Sequence, residues 1–285
     1  MATKAIVVGG TSGIGYAMAC RVAAQAGSAK VIISGRTKPK HISHPNMEFR
    51  PLDATSMYQI KKYTDAFKSS PSQKLDLLIM TQGIMTTAGR TETPEGIDRK
   101  MALHYYGKQL LIRELLPILK EDGKVVIVYD GKFGNPDKLN WNDLDLKSNF
   151  GLSTSANHCM VMNDVMIQHF AAQQQEHGVG KRHFIHAWPG AVNTSLLREL
   201  PRFVQPLAKA ANHLFTVPPE TCAEYLLNGV SERVSDGEKQ GRFWNNIDNK
   251  GRLIDNKTIW TKEQMNTVAA HTWGLVDSGI QSSQH

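Results

Sequence analysis

Short apolar runs alternate along the chain with polar or glycine-rich breaks and with stretches at helical spacing. Ala5-Ile6-Val7-Val8 is the first run, followed by a glycine turn and then by Tyr16–Ala23, where apolar residues recur at helical intervals. Lys30–Ser34, Met47–Leu52, Leu75–Met80, Lys124–Val128 and Phe184–Trp188 repeat the strand signal. Thr93–Leu119 and Leu152–Gln174 read as long helices, and Asn135–Asn149 as a polar loop. Strands that alternate with helices argue for an α/β doubly wound parallel sheet, a Rossmann fold, in a single domain over residues 1–285. Ligands of such sheets bind beyond the carboxyl ends of the strands. That rule puts Gly9–Gly15, Met80–Gly83, Tyr129–Lys132 and Pro189–Thr194 on one rim. Beyond Ser195 the sequence reads as short helices broken by Pro and Gly, and residues 195–285 are expected to cover that rim and the substrate. Leu196, Leu197, Phe203, Phe215, Trp244 and Trp260 would give the cover an apolar lining suited to a small apolar molecule.

The glycine turn carries the first chemistry. Gly9, Thr11, Ser12, Gly13, Ile14 and Gly15 lie between a strand and a helix N-terminus, in the spacing Gly-x3-Gly-x-Gly. Glycine lets backbone approach a ligand closely, and a helix N-terminus offers N–H groups and positive potential to a phosphate. The second strand ends in Gly35-Arg36, about 20 residues beyond the loop, where a dinucleotide's ribose is read. A carboxylate there selects NAD. Arg36, with Lys38 nearby, offers cationic donors to a 2′-phosphate, so NADP (NADPH) is the expected cofactor. Asp53 ends the third strand, placed either to meet the adenine amino group or to cap a helix. Gly83 would let backbone pass close to the cofactor.

Composition narrows the setting. The 285 residues are 41% hydrophobic and contain three cysteines, too few and too scattered for a disulfide framework or a metal site. No run approaches the ~20 apolar residues of a membrane span, and no secretory signal is visible, so a cytoplasmic protein without a membrane partner is expected. The net charge of +7 is spread along the chain, which argues for a solvated basic surface and against nucleic-acid binding.

These landmarks in this order resemble the short-chain dehydrogenase/reductase family. The motifs are Gly9-x3-Gly13-x-Gly15, Gly35-Arg36, Asp53, Gly83 and Pro189-Gly190-x3-Thr194, and the likeness covers residues 1–230. The resemblance implies that Pro189, Gly190, Val192 and Thr194 flank the nicotinamide. It also implies a homo-oligomer, a dimer or tetramer, formed through the helices at Thr93–Leu119 and Leu152–Gln174. Trp141-Asn142-Asp143-Leu144 is similar to a loop of retinol-dehydrogenase-like members.

The family's catalytic Asn, Ser, Tyr and Lys are another matter. Aligned by the landmarks, their positions fall at His104, Asp130, Ser153 and Asn157, and no Tyr-x3-Lys occurs between residues 140 and 180. A serine hydroxyl is far too weak an acid to replace an activated phenol, a contribution of about 10²- to 10⁴-fold. Tyr129, Lys132 and His158 are also expected near the rim, His158 pointing off the active-site face, and His104 and Asp130 are candidate proton carriers unless His104 bonds backbone and Asp130 caps the turn that follows. Asn149-Phe150-x-Leu152 followed by Asn163-Asp164 resembles divergent members of fungal natural-product pathways, in secondary metabolism, some of which lack the tetrad.

Three functions fit this reading. The first is hydride transfer from NADPH to an acceptor that is already electrophilic, an iminium or a conjugated system. The second is a non-redox cyclase or isomerase that orients one substrate in an apolar pocket. The third is a non-catalytic NADP-binding protein.

Overall fold

The apolar runs assemble into one seven-stranded sheet in which every pairing is parallel. This is a computed structural model, and it describes residues 3–25, 30–69, 74–178, 180–194 and 216–283. The strands are β1 (Lys4–Val8), β2 (Lys30–Gly35), β3 (Met47–Pro51), β4 (Leu75–Met80), β5 (Leu119–Val128), β6 (His183–Ala187) and β7 (Trp244–Ile247), in the order β3-β2-β1-β4-β5-β6-β7. Both faces are covered, which is why the strands read as continuous apolar runs. In β1, Ala5 and Val7 enter one core, Ile6 and Val8 the other, and all four are buried. Helices α1 (Gly13–Ala23) and α6 (Pro219–Gln240) pack together over the first face. Helices α2 (Met57–Lys68), α4 (Gly107–Leu115), α5 (Leu152–Glu176) and α7 (Lys262–Ser282) form the second layer.

The helix expected over Thr93–Leu119 is shorter and composite. A single turn, α3 (Arg99–Met101), passes through a π-helical stretch at Ala102–Tyr106 into α4. A π turn displaces one carbonyl from the regular ladder, and such turns cluster at functional sites. Here the His104 carbonyl accepts from Asn163 Nδ2 of α5 at 3.0 Å, while Gln109 Nε2 donates to Asn163 Oδ1 at 2.7 Å. Asn163 is thereby satisfied on both its amide atoms, while the buried Gln109 Oε1 has no partner among the described residues.

The C-terminal part departs from the expected cover of short helices. Residues 219–282 form two long helices and the edge strand β7, so they complete the sheet and its two layers. Trp260 is a buried core residue, edge-on to Trp141 with ring centroids 6.1 Å apart, and Trp244 lies in β7 under the Arg242 guanidinium. Leu196, Leu197, Phe203 and Phe215 lie outside the described residues.

Helix α7 packs on α5 and α2 and bonds to the π turn. Tyr105 donates to Thr272 Oγ1 at 2.6 Å, Thr272 in turn donating to the Val268 carbonyl; Tyr106 Oη meets His271 Nε2 at 2.9 Å, and Arg113 pairs with Asp277 at 2.6 Å. Helix α7 therefore lies along α5 and meets α4 through Arg113, the helices through which the family resemblance implies a subunit contact. Thr272→Val leaves the fully buried Tyr105 hydroxyl without its acceptor. It is expected to lower unfolding free energy by about 1–3 kcal/mol in urea titration, and an unchanged midpoint would deny the bond any weight.

Candidate active site

The carboxyl ends of β1, β2, β4 and β5, with the segment after β6, open onto a cleft of about 560 Å³. Its floor is the glycine loop. Gly9 has φ +80°, and its N–H donates to the Ser34 carbonyl at 2.8 Å. A Cβ on Gly9 would stand 2.6 Å from both Gln82 N and Thr81 Oγ1, and a Cβ on Gly15 would overlap the Thr81 hydroxyl and the Gly9 carbonyl. The loop is therefore drawn against Thr81 as closely as backbone allows. The first intrahelical bond of α1 runs from Tyr16 N–H to the Ser12 carbonyl at 3.3 Å. The N–H groups of the preceding turn, Gly13 to Gly15, have no intrahelical carbonyl to bond, and these three residues line the cleft. These observations fit a dinucleotide pyrophosphate.

Thr11, Ser12 and Ile14 line this floor, and Arg36 and Asp53 line one flank. Asp53 accepts from Thr55 N–H at 3.0 Å and from the Thr55 hydroxyl at 2.7 Å. It does not cap α2. That helix is capped by Ser56 together with Glu95, whose carboxylate accepts from Met57 N–H and Tyr58 N–H at 2.8 and 2.9 Å. Pro189, Gly190 and Thr194 line the opposite flank, where a Cβ on Gly13 would lie 3.1 Å from Thr194 Cγ2. Val192 is not among the lining residues and pairs instead with Val217 in an isolated bridge.

The catalytic positions differ most from the sequence reading. Ser153 is exposed outside the cleft lining, and Asn157 is turned to the loop before it. The Asn157 side-chain oxygen accepts from Asn135 N–H at 2.8 Å, and its amide nitrogen donates to the Asn135 carbonyl at 3.0 Å. The residues of α5 that line the cleft are Leu152, Ser155, Ala156 and Met160. Two i, i+4 pairs therefore face the cleft, Leu152 with Ala156 and Ala156 with Met160, and neither is Ser153 with Asn157. His158 is buried away from the cleft, with Nε2 accepting from Asn140 N–H at 3.1 Å and Nδ1 donating to the Leu144 carbonyl at 3.3 Å.

His104 and Asp130 do line the cleft. His104 Nε2 accepts from Ile84 N–H at 3.0 Å, so the neutral ring carries its proton on Nδ1. Burial, helped by the positive field of Lys108, pushes its pKa down to about 3. His104 is therefore a neutral scaffold for the Gly83-Ile84 backbone and does not titrate near neutral pH. Asp130 Oδ1 accepts from Lys132 N–H and Phe133 N–H, both at 3.0 Å, and so shapes the turn after β5.

Two lysines went unread in the sequence because charged residues on a helix ordinarily signal solvent. Lys100 lines the cleft, and its Nζ donates to the Ala88 and Gly89 carbonyls at 3.1 and 2.7 Å. Lys108 is wholly buried, and its Nζ donates to the Met80 and Val128 carbonyls at 3.3 and 3.1 Å, at the ends of β4 and β5. Burial pushes its pKa down to about 7.

With the geometry established, the sequence model described as short chain dehydrogenase matches residues 3–131. Oxidoreductase AN1596 of Emericella nidulans is 32% identical over 74% of this chain and 64% of its own length. The chain belongs to the short-chain dehydrogenase/reductase family. Oxidoreductase andH of Emericella variicolor is 28% identical over 78% of the chain and 67% of its own length. The match thus spans less than two thirds of the first of these relatives. In fold the chain is similar to the NADPH-bound carbonyl reductase from chicken fatty liver, with TM-score 0.61, 17% identity, and coverage of 89% of this chain and 98% of that one. Within this family a phenol and an ammonium on α5 would face the nicotinamide. Here the α5 side chains that line the cleft are those of Leu152, Ser155, Ala156 and Met160.

Proposed function

We propose that this protein is an NADP(H)-dependent reductase that delivers hydride to a small apolar acceptor already electrophilic, an iminium or a conjugated system. One observation carries the reading: a closed glycine cradle faces a helix whose cleft-lining residues Ser155, Ala156 and Met160 supply no acid. When bound, the reduced nicotinamide supplies the hydride. The N–H groups at the start of α1 hold the pyrophosphate, and Pro189, Gly190 and Thr194 close on the nicotinamide side. Met85, Leu152, Met160 and Trp188 give the rest of the cleft an apolar lining that excludes water from the acceptor. An acceptor that needs no protonation before hydride arrives loses little from the missing phenol. Three cysteines without disulfide partners suit a reducing compartment, consistent with a place in the cytoplasm.

The cofactor half of the reading rests on Arg36, the cation at the end of β2. Arg36→Asp removes charge-assisted donors to a 2′-phosphate and introduces a carboxylate suited to a ribose diol. Fluorescence titration is expected to show NADPH affinity falling about 10- to 100-fold with NADH affinity little changed. Equal losses for both would refute the 2′-phosphate contact. For the chemistry, the purified protein should consume NADPH only when such an acceptor is present. Turnover that persists after the cofactor is removed would point instead to a non-redox cyclase or isomerase.

A further inference from the structure

Tyr129 is the first residue after β5, and its N–H donates to the Ala187 carbonyl at 3.0 Å, which fixes its backbone across the sheet. Tyr129 lines the cleft, and its ring stacks with two histidines. The His104 ring stacks at 4.7 Å and 28°, and the His186 ring lies parallel at 6.5 Å and 8°. His186 is itself fixed by its Nδ1 bond to Asp164 at 2.6 Å. Lys108 Nζ lies 5.8 Å from the centroid of the Tyr129 ring.

The hydroxyl of this ring is uncommitted. The other buried phenols are engaged, Tyr63 with Ser34, Tyr105 with Thr272 and Tyr106 with His271, whereas Tyr129 Oη makes no hydrogen bond among the described residues. Of the polar neighbours in the cleft, His104 Nε2 is taken by Ile84, Asp130 by its own turn and Lys100 by the Ala88 and Gly89 carbonyls, while the buried amide of Gln82 is, like the Tyr129 hydroxyl, unpartnered among the described residues. A rigid, spare O–H donor in an apolar cleft is a site for a neutral acceptor atom.

We propose that Tyr129 is the hydrogen-bond and proton donor to the carbonyl oxygen of the acceptor, and that the substrate class is accordingly an apolar α,β-unsaturated ketone rather than an iminium. This rests on the reductase reading above. Two electrons arrive as hydride from the reduced dinucleotide and form a C–H bond at the β-carbon. The C=C pair moves into the enolate, and the carbonyl π pair moves onto oxygen. The Tyr129 O–H breaks as the enol O–H forms; the phenolate regains its proton from water, and the enol becomes the saturated ketone. Burial pushes the phenol well above its ordinary pKa of 10, so the hydroxyl is present as a donor throughout the neutral range. An enolate is a much weaker base than the alkoxide formed from a plain ketone, so a phenol without an ammonium at its oxygen can share its proton with the enolate oxygen in a charge-assisted hydrogen bond, and conversion of the enol to the ketone completes the transfer. As negative charge grows on the phenol, the ring attracts the Lys108 cation more strongly.

Tyr129→Phe tests this, since it keeps the ring that stacks with the two histidines and its folding is checked by urea titration. The probes are 4-phenyl-3-buten-2-one, an apolar enone, and N-methyl-3,4-dihydroisoquinolinium, an iminium with no oxygen to protonate. Raman difference spectroscopy of the enone on the NADP⁺-loaded protein, where no turnover occurs, should show a lowered carbonyl stretch that Tyr129→Phe abolishes. In single turnovers with NADPH, the enone-to-iminium rate ratio should fall about 100-fold in the variant. An enone that fails to bind, an unshifted carbonyl in the wild type, or an unchanged ratio would overturn the proposal. A shifted carbonyl without NADPH consumption would leave the Tyr129 contact standing and overturn the reductase reading instead.

Discussion

Gly9→Val is expected to weaken NADPH binding at least about 100-fold. Two costs combine, a branched residue at φ +80° and a Cβ 2.6 Å from Gln82 N and Thr81 Oγ1. Strain of about 1–3 kcal/mol and overpacking of similar size are relieved only if the loop withdraws from Thr81, which carries the pyrophosphate cradle with it. Gly241 offers the control. It has φ +68° with nothing within 4 Å of an added Cβ and lies at the end of α6, so Gly241→Ala carries backbone strain without disturbing the cradle. Fluorescence titration should separate the two variants, and equal affinity in both would mean that the loop does not hold the cofactor.

Asp164→Ala should be the most destabilising single truncation on the second face of the sheet. Asp164 Oδ1 accepts from His186 Nδ1 and Asn246 Nδ2, both at 2.6 Å, and Oδ2 meets Lys257 Nζ at 2.5 Å. The Lys257 and Asp164 side chains are only 8% and 5% exposed, and His186 and Asn246 are fully buried. One carboxylate thus ties α5 to β6, to β7 and to the segment before α7. Its removal leaves a buried ammonium and the His186 N–H unpaired, with Asn246 Nδ2 keeping only its bond to the Gly131 carbonyl, a loss of about 3–5 kcal/mol from the 5–15 kcal/mol typical of a domain. Lys257→Met in the same background should recover part of that loss by removing the stranded charge. A loss below about 1 kcal/mol in urea titration would show that water or rearrangement replaces the carboxylate.

What was legible in the sequence follows from how strongly each element is patterned. Six of the seven strands and the glycine loop declare themselves, because two-sided burial favours apolar runs and the cradle leaves no room for a side chain at Gly9 or Gly15, whereas β7 carries Asn245 and Asn246 and gives no such run. Helix α5 gave no such guide to register. It is buried on most of its circumference, with Asn163, Asp164 and Gln168 inside, so no single apolar stripe marks the cleft face. Without a Tyr-x3-Lys to anchor it, nothing in the sequence of α5 marks Leu152, Ser155, Ala156 and Met160 as the residues that line the cleft. The C-terminal glycines misled for a different reason. Gly229 and Gly237 look like breaks, yet both lie inside α6. They are there for close approach, Gly229 against the backbone of Gly251 and Gly237 against the His183 ring. Lys108 carried no signal at all, since its partners are the Met80 and Val128 carbonyls of two strands distant in sequence.

The central claim is that this cleft delivers hydride without an acid on α5, and tracing the hydride itself tests it most directly. NADPH deuterated at the transferring C4 position is incubated with the protein and 4-phenyl-3-buten-2-one, and the product is analysed by mass spectrometry. One deuterium at the β-carbon is predicted, with turnover at least about 100-fold faster than for the saturated ketone 4-phenyl-2-butanone. A product formed without deuterium, or equal rates for the two ketones, would contradict the account.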